Sequence, residues 1–314
     1  MKKIAIFILL NLLISVSQTD AFVVDHTAVQ KFDQIPAEWL EKAKKITIHY
    51  GHTSHGSQIM AGLKWLDKNI DHKKYYFSCE DRNGARNPDL PDKTSPPSLR
   101  MWEEGLWPDT DDGHLGYWEG AAAWEGTDKV LDSNLFTVSG WAWCGQVGNS
   151  TAEYIDQYLQ AMSELEAQHP DVAFVYMTGH REVKHNDPST VDPTLKANND
   201  RIRSFCRNND KILFDFADIE AHDLDGNYHD EEDGTCLWCD DWCDEHPTDC
   251  RNLPERAERG GGCNIEICAH SHGLNCVIKA KAFWWMLARL ARDTPDPDTP
   301  DPFSLAPIHM LLLN

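Results

Sequence analysis

The turn after the first predicted strand carries the residues best suited to nucleophilic chemistry. Residues 50–57 read YGHTSHGS and stand between an apolar segment and an amphipathic one. In open α/β sheets, ligands collect at the carboxyl ends of the strands, where the next helix offers free N–H groups to a developing negative charge. We therefore predict that Ser54 is a nucleophile. Ser57 is an alternative, and capping of the helix is the simpler role for either serine.

A serine nucleophile needs a base, and the far end of the chain offers one. Residues 266–272 read EICAHSH and come immediately before the last predicted helix. His270 is suited to accept the serine proton, while a second group holds its other ring nitrogen. A serine after the first strand and a histidine before the last helix form an ordered pair, which distinguishes His270 among the 15 histidines of the chain.

The elements that must position these residues alternate along the chain. Four apolar segments are predicted to be strands, over residues 45–50, 135–143, 172–177 and 212–216. Apolar residues recur at helical spacing over residues 59–70, 154–165, 195–206 and 277–292. This alternation predicts one doubly wound α/β domain, with a parallel sheet covered by helices on both faces.

A long segment separates the first predicted helix from the second predicted strand. Residues 77–129 are rich in Gly, Pro, Asp and Trp, and we expect a long loop that acts as a lid or binding segment. Its aromatic residues form either a platform for a sugar ring or a small core, and they are Trp102, Trp107, Tyr117, Trp118 and Trp124. Residues 294–314 begin with repeated Asp-Pro, which predicts an extended tail.

The N-terminus has the features of a secretory signal peptide. Lys2 and Lys3 precede an apolar run over residues 4–16, and small residues follow up to Ala21. This run of about 13 residues is shorter than the roughly 18 that a membrane span requires. We expect cleavage near Ala21, a mature domain over residues 22–293 and a secreted or periplasmic location. An uncleaved membrane anchor is the alternative.

The net charge limits the classes of partner that we expect, and the cysteine content indicates the cellular compartment. The formal net charge of -22 argues against nucleic acid and against an anionic membrane surface, because both are polyanions. Seven of the ten cysteines lie between Cys236 and Cys276. In an exported chain this density predicts disulfides over residues 230–276. A zinc site is the alternative, because Cys236 and Cys239 have C-x-x-C spacing and His246 is near.

The order of the motifs resembles that of the SGNH, or GDSL-type, hydrolases. The blocks that carry the resemblance run in order between Lys45 and Arg292, and they read GHTSHGSQ, WCGQ, MTGH, LFDFADIEAHDLDG and CAHSHGLNC followed by KAKAFWWMLARLA. The resemblance implies a flavodoxin-like, three-layer α/β/α fold with a mostly parallel sheet, here with a disulfide-rich loop insertion. It also implies that Ser54 is the nucleophile, although Ser54 follows Gly-His-Thr where the family has Gly-Asp.

The resemblance assigns an oxyanion site to the second and third blocks. Gly145 matches the family glycine whose N–H binds the oxyanion, with Gly148 as second choice. The family asparagine of the third block is replaced by His180, which either takes over the donor role or binds substrate.

In the last block, His270 matches the family histidine. The residue three positions earlier is Ile267 where the family has aspartate. Either Glu266 or a backbone carbonyl then orients the ring, and His272 competes with His270 as the base.

These features predict an exported serine ester hydrolase that uses neither a metal nor an organic cofactor and acts on an acylated carbohydrate, such as an O-acetylated polysaccharide. A non-catalytic carbohydrate-binding protein on the same fold is one alternative. A metal-dependent hydrolase is another, and its candidate ligands are His52, His55, His270 and His272, or Asp223 and Asp225 for calcium.

Overall fold

The computed structural model describes residues 22–81, 88–105, 117–184, 187–230, 233–263 and 266–293. The strands are, in chain order, β1 (Val23–Val24), β2 (Thr47–His52), β3 (Phe77–Asp81), β4 (Leu99–Gly105), β5 (Val138–Ala142), β6 (Ala173–Met177), β7 (Val183–Lys184), β8 (Asp187–Val191), β9 (Ile212–Phe214), β10 (Glu255–Ala257) and β11 (Ile267–Ala269). Seven of them form one sheet in the order β1-β9-β6-β5-β2-β4-β3. Every pairing within this sheet is parallel.

Helices cover the sheet in two layers. They are α1 (His26–Gln30), α2 (Ala37–Ala43), α3 (Ser57–Asn69), α4 (His72–Tyr75), α5 (Gly120–Leu131), α6 (Gln146–Asn149), α7 (Ala152–Gln168), α8 (Pro193–Asn208), α9 (Phe216–Glu220), α10 (Cys239–Glu245) and α11 (Gly273–Asp293), with a 3-10 turn at Phe32–Gln34. One layer is centred on α11, which contacts α1, α2, α3 and α9, and the other holds α7 and α8. The predicted three-layer α/β fold is confirmed.

Strand β2 lies in the interior of the sheet, between β5 and β4. All six of its residues are buried, as expected for a parallel strand covered on both faces. After β2 the chain builds β3 and β4 on one side and then returns to β5 on the other. The carboxyl ends of β2 and β5 therefore flank the point where strand order reverses, and such points form binding crevices in open α/β sheets.

The four predicted strands and four predicted helices are present, with ends that differ by a few residues. The loop expected over residues 77–129 is wrong in part, because β3, β4 and most of α5 lie there. The two strands were missed because charged residues such as Glu80 and Glu103 interrupt their apolar pattern. The aromatic side chains of this segment that the structure describes belong to the core: Trp102, Tyr117 and Trp118 are buried, and Trp124 is partly buried and packs against the core. Trp107 lies outside the described residues.

Four disulfides crosslink the cysteine-rich region, as predicted. They join Cys236 to Cys239, Cys243 to Cys250, Cys268 to Cys276 and Cys79 to Cys263. The last one ties the region to strand β3 at the edge of the sheet. Because the two cysteines of the C-x-x-C motif are bonded to each other, their thiolates are not available to zinc.

The predicted signal peptide, residues 1–21, and the predicted tail, residues 294–314, lie outside the described residues. Within the described ranges, no helix combines the length and the apolar character needed to cross a bilayer.

Candidate active site

The turn between β2 and α3 presents Ser54 at the carboxyl edge of the sheet. Ser54 is half-buried, and its carbonyl accepts hydrogen bonds from both the backbone N–H and the hydroxyl of Ser57, the latter at 2.6 Å. Ser57 is buried, and its two hydrogen bonds to this carbonyl stabilise the turn. Among the described residues, no hydrogen bond engages the Ser54 hydroxyl. Of the two candidate nucleophiles, Ser54 is the more accessible.

Three imidazole rings stack beside this turn. His55 lies between the other two, with its ring centroid 3.6 Å from that of His180 and 4.6 Å from that of His270. His180 follows β6 and His270 follows β11, so three distant segments meet here. The fold thus brings the predicted residues Ser54, His180 and His270 together at one edge, although no hydrogen bond joins Ser54 to His270 within the described ranges.

Burial and neighbouring groups lower the pKa of two of these rings, those of His55 and His270. Burial lowers the pKa of His55 well below its ordinary value, and His180, His270 and Lys279 shift it in the same direction. Burial also lowers the pKa of His270, with His180 adding to the effect and Glu258 opposing it. Neutral rings at neutral pH are able to accept a proton, as a general base must.

His270 is held in an uncommon backbone conformation. Its φ angle is 61°, in the left-handed region that side chains other than glycine rarely adopt. The His270 N–H donates to the Ala257 carbonyl at 2.6 Å, and the Cys268–Cys276 disulfide brackets the residue. Such strain persists where the surroundings enforce it, and it concentrates at functional sites.

His272, the competing base, points elsewhere. Its Nδ1 accepts the N–H of Leu274 at 3.2 Å, at the start of α11, and its Nε2 lies 3.6 Å from Asp240 Oδ1. His272 therefore stabilises a helix end, whereas His270 joins the imidazole stack.

The structure does not pair Glu266 with His270. The Glu266 carboxylate is exposed and forms an ion pair with Lys68. This pairing lowers the pKa of Glu266. No carboxylate is hydrogen-bonded to the His270 ring in the part of the chain that the structure describes. Sequence proximity favoured Glu266, but the course of the chain after residue 266 directs the carboxylate toward α3.

The predicted oxyanion residues lie together, with a carboxylate among them. Gly145 is the N-cap of α6, and Glu182 is so close that a Cβ atom on Gly145 would be 3.1 Å from Glu182 Oε1. The same oxygen is 2.9 Å from His180 Nε2, and His180 Nδ1 is 2.7 Å from the Arg181 carbonyl. His180 Nδ1 is therefore hydrogen-bonded, whereas Nε2 forms no hydrogen bond among the described residues although Glu182 Oε1 lies close to it. To donate to a substrate oxygen, Nε2 would have to turn away from Glu182 and carry a proton.

A glycine-rich segment, residues 260–262, covers the Ser54 turn. A Cβ atom on Gly260 would lie 2.5 Å from both Ser54 Cα and Ser57 Oγ, so only glycine fits there. The segment is anchored at its end, because the Cys263 N–H donates to Glu103 Oε2 at 2.8 Å and Glu103 Oε1 lies 3.1 Å from His52 Nε2. The run Gly-Gly-Gly-Cys is the sequence signal of this close approach, and it lies outside the motifs identified above.

Cys144 is a second residue that sequence reasoning missed. It follows β5, is partly exposed, and is one of two cysteines outside the disulfides. Its Sγ lies 3.0 Å from His55 Nδ1. The thiol and the Ser54 turn therefore share one imidazole neighbour.

A buried polar network connects the elements behind the site. Lys279 Nζ lies 2.6 Å from Glu220 Oε1 and also donates to Gln58 Oε1. Gln58 Nε2 donates to the Ala269 carbonyl, next to His270, at 2.5 Å. Glu220 Oε2 accepts the N–H of Arg181, next to His180, at 2.8 Å. The network joins the helix after Ser54 to the backbone beside both other histidines.

The candidate metal ligands do not converge. His52 contacts Glu103 and the Thr53 carbonyl, while His272 lies at α11. The stacked rings of His55 and His270 face each other rather than pointing at a common centre. Asp223 accepts the N–H groups of Asp225 and Asn227, which is the pattern of an ordinary turn.

Comparison with known proteins adds one distant likeness. No protein-family model matches the chain, and no curated protein matches it. Among solved structures, the chain is similar to a "putative acylhydrolase" from Bacteroides fragilis NCTC 9343, with 11% sequence identity and a TM-score of 0.32 over 70% of this chain and 92% of that one. A likeness this distant carries no conclusion about activity.

Proposed function

We propose that this protein is an exported serine ester hydrolase with Ser54 as nucleophile and His270 as general base. The observation that carries the proposal is the meeting of the Ser54 turn with the His270 ring, through His55, where strand order reverses. The depressed pKa of His270 supports the base role, because the ring is neutral and able to accept a proton at neutral pH.

The reaction follows from these roles. Ser54 Oγ attacks the ester carbonyl while its proton moves to His270. The N–H groups of Ser54 and Gly145 stabilise the oxyanion, and His180 joins them after releasing Glu182. The C–O bond breaks as His270 returns the proton to the leaving alcohol. Water then attacks the acyl group on Ser54 by the same proton route, releasing the acid and free serine.

The proposed substrate is an acylated carbohydrate, for example an O-acetylated polysaccharide. The strongly acidic chain disfavours polyanionic substrates, which leaves neutral or cationic esters. The four disulfides support a secreted or periplasmic location, where such polymers occur. The aromatic residues that were expected to form a platform for a sugar ring do not support this substrate, since Trp102 and Trp118 are buried in the core.

Hydrolysis of p-nitrophenyl acetate tests the proposal. Ser54→Ala should lower kcat by at least about a thousandfold, because removal of a catalytic serine abolishes the covalent route. Ser57→Ala is the matched control, and it should retain most of the activity despite the loss of its bond to the Ser54 carbonyl. A fluorophosphonate should label wild type and Ser57→Ala but not Ser54→Ala. Full activity in Ser54→Ala would refute the assignment of the nucleophile.

A non-catalytic carbohydrate-binding protein is the second candidate. It is favoured by the hydrogen bond of His180 Nδ1 to a carbonyl, by the carboxylate beside His180 Nε2, and by the lack of a described hydrogen bond between Ser54 and His270. That function predicts saturable binding of acetylated polysaccharide with neither turnover nor phosphonate labelling. The same two assays therefore separate the two functions.

A further inference from the structure

The second nucleophilic group at this edge is a thiol that the proposed hydrolysis does not use. All ten cysteines of the chain are described, and eight of them form disulfides. The two that remain differ in their surroundings. Cys206 is buried in α8, whereas Cys144 is partly exposed and contacts an imidazole nitrogen.

We propose that Cys144 and His55 form a reactive thiol–imidazole pair, and that Cys144 is a site of reversible modification by small disulfides. The geometry provides the pair, with Cys144 Sγ 3.0 Å from His55 Nδ1. The ring is fixed by its position between His180 and His270, and the backbone N–H of Cys144 donates to the Gln146 side chain at 2.6 Å. Neither partner has to be recruited by a conformational change.

The exchange reaction transfers one proton, first from Cys144 to His55 and then to the leaving thiolate. The Cys144 thiol proton moves to His55 Nδ1, and the sulfur attacks one sulfur of the incoming disulfide. The S–S bond of the reagent breaks, and the leaving thiolate takes the proton from His55. One mixed disulfide and one free thiol are produced. Because burial keeps His55 neutral, the ring is able to accept this proton at neutral pH.

Modification would also affect the proposed hydrolysis. Cys144 precedes Gly145, and its Sγ lies 3.0 Å from Nδ1 of His55, which follows Ser54. A group attached to Cys144 is therefore next to the residues that carry the proposed oxyanion donor and nucleophile. We expect the mixed disulfide to block ester turnover. This consequence rests on the proposed function, whereas the modification itself does not.

Oxidised glutathione is the probe, and mass spectrometry of the intact protein and of peptides digested without reductant is the measurement. Wild type and Cys206→Ser should each gain one glutathione on Cys144, and Cys144→Ser should gain none. Cys206 is the matched control, because burial raises the pKa of its thiol to about 12. An adduct on Cys206 with Cys144 unmodified would overturn the proposal, as would no adduct at all.

His55→Gln tests the role of the imidazole. The labelling rate should fall by roughly tenfold or more, because general-base assistance is lost. An unchanged rate in a variant with native circular dichroism would refute that role. If His55→Gln does not fold, the pH dependence of labelling in Cys206→Ser decides instead. Base assistance predicts a rate that is nearly constant between pH 8 and pH 7, whereas the rate of an unassisted thiol with the ordinary pKa of about 8.5 should fall by about eightfold over this interval, in step with its thiolate fraction.

The activity measurement separates this inference from the proposed function. Glutathione-treated wild type should lose p-nitrophenyl acetate hydrolysis, while Cys144→Ser should keep it under the same treatment. Adduct formation on Cys144 in a protein that never hydrolyses esters would leave the modification site standing and remove the hydrolase. Hydrolysis that continues at full rate in fully modified protein would refute the proposed block.

Discussion

Replacement of Lys279 by Met tests whether the buried network behind the site supports both the fold and the chemistry. The side chains of Lys279 and Glu220 are both 0% exposed, and Nζ and Oε1 are 2.6 Å apart. Methionine keeps the length and apolar stem of lysine but removes the charge. The Glu220 carboxylate would then remain buried without this charged partner, while the N–H of Arg181 still donates to its Oε2.

We expect a large loss of stability in Lys279→Met, because the buried charge of Glu220 loses its partner. Breaking one side of a buried ion pair typically costs about 3–5 kcal/mol of unfolding free energy. Lys279→Met should therefore lower the free energy of unfolding by about that amount. The double variant Lys279→Met with Glu220→Gln removes both charges, and it should recover a substantial part of the loss.

Equilibrium urea denaturation, followed by circular dichroism with the disulfides kept oxidised, measures these differences. Lys281→Met is the matched control on the same helix. Its Nζ lies over the Phe32 ring at 5.6 Å, and no described carboxylate is ion-paired with it. Lys281→Met should lower the free energy of unfolding by less than about 1 kcal/mol, as most substitutions away from buried charges do. Equal losses in Lys279→Met and Lys281→Met would refute the reasoning.

Three further predictions concern the site itself. Gly260→Ala should lower the free energy of unfolding by about 1–3 kcal/mol and reduce ester hydrolysis, because the added Cβ atom would lie 2.5 Å from Ser54 Cα. Gly126→Ala should be neutral or slightly stabilising in urea denaturation, because no atom lies within 4 Å of the added Cβ. His270→Ala should lower kcat by at least about a hundredfold while His272→Ala keeps most activity, and the reverse order would exchange their roles. Because burial lowers the pKa of His55, the unfolded chain binds more protons once the pH falls through the ordinary histidine value of about 6.5, so stability should fall from pH 7 to pH 5.5. That loss should be smaller in His55→Gln, and an equal loss in both proteins would assign it to other groups.

Local patterns in the sequence were sufficient to predict the central elements. Strands such as β6 and β9 are buried and have continuous apolar sequences, and helices such as α7 have apolar residues at helical spacing. The density of cysteines predicted disulfides without their pairing. Ser54 and His270 became candidates because each stands at the junction of a strand and a helix or just before a helix, where open sheets place their sites.

The tertiary structure decided everything that depends on contacts between distant residues. Strands β3 and β4 lie toward the edge of the sheet, where charged residues are tolerated, so their sequences do not show the apolar pattern of a central strand. The contact of Cys144 with His55 depends on β5 lying beside β2 in the sheet. Glu266 was the nearest carboxylate in the motif, yet the folded chain pairs it with Lys68.

The histidines show most clearly which features the local sequence predicts and which depend on tertiary contacts. The sequence placed His55 and His180 after two predicted strands and His270 just before the last predicted helix, and those elements follow from hydrophobic periodicity. Their stacking into one column requires the sheet order, the left-handed backbone at His270 and the buried Gln58–Lys279–Glu220 network. Periodicity reports which residues face the core, whereas the partners of a polar side chain are set by the packing of distant elements.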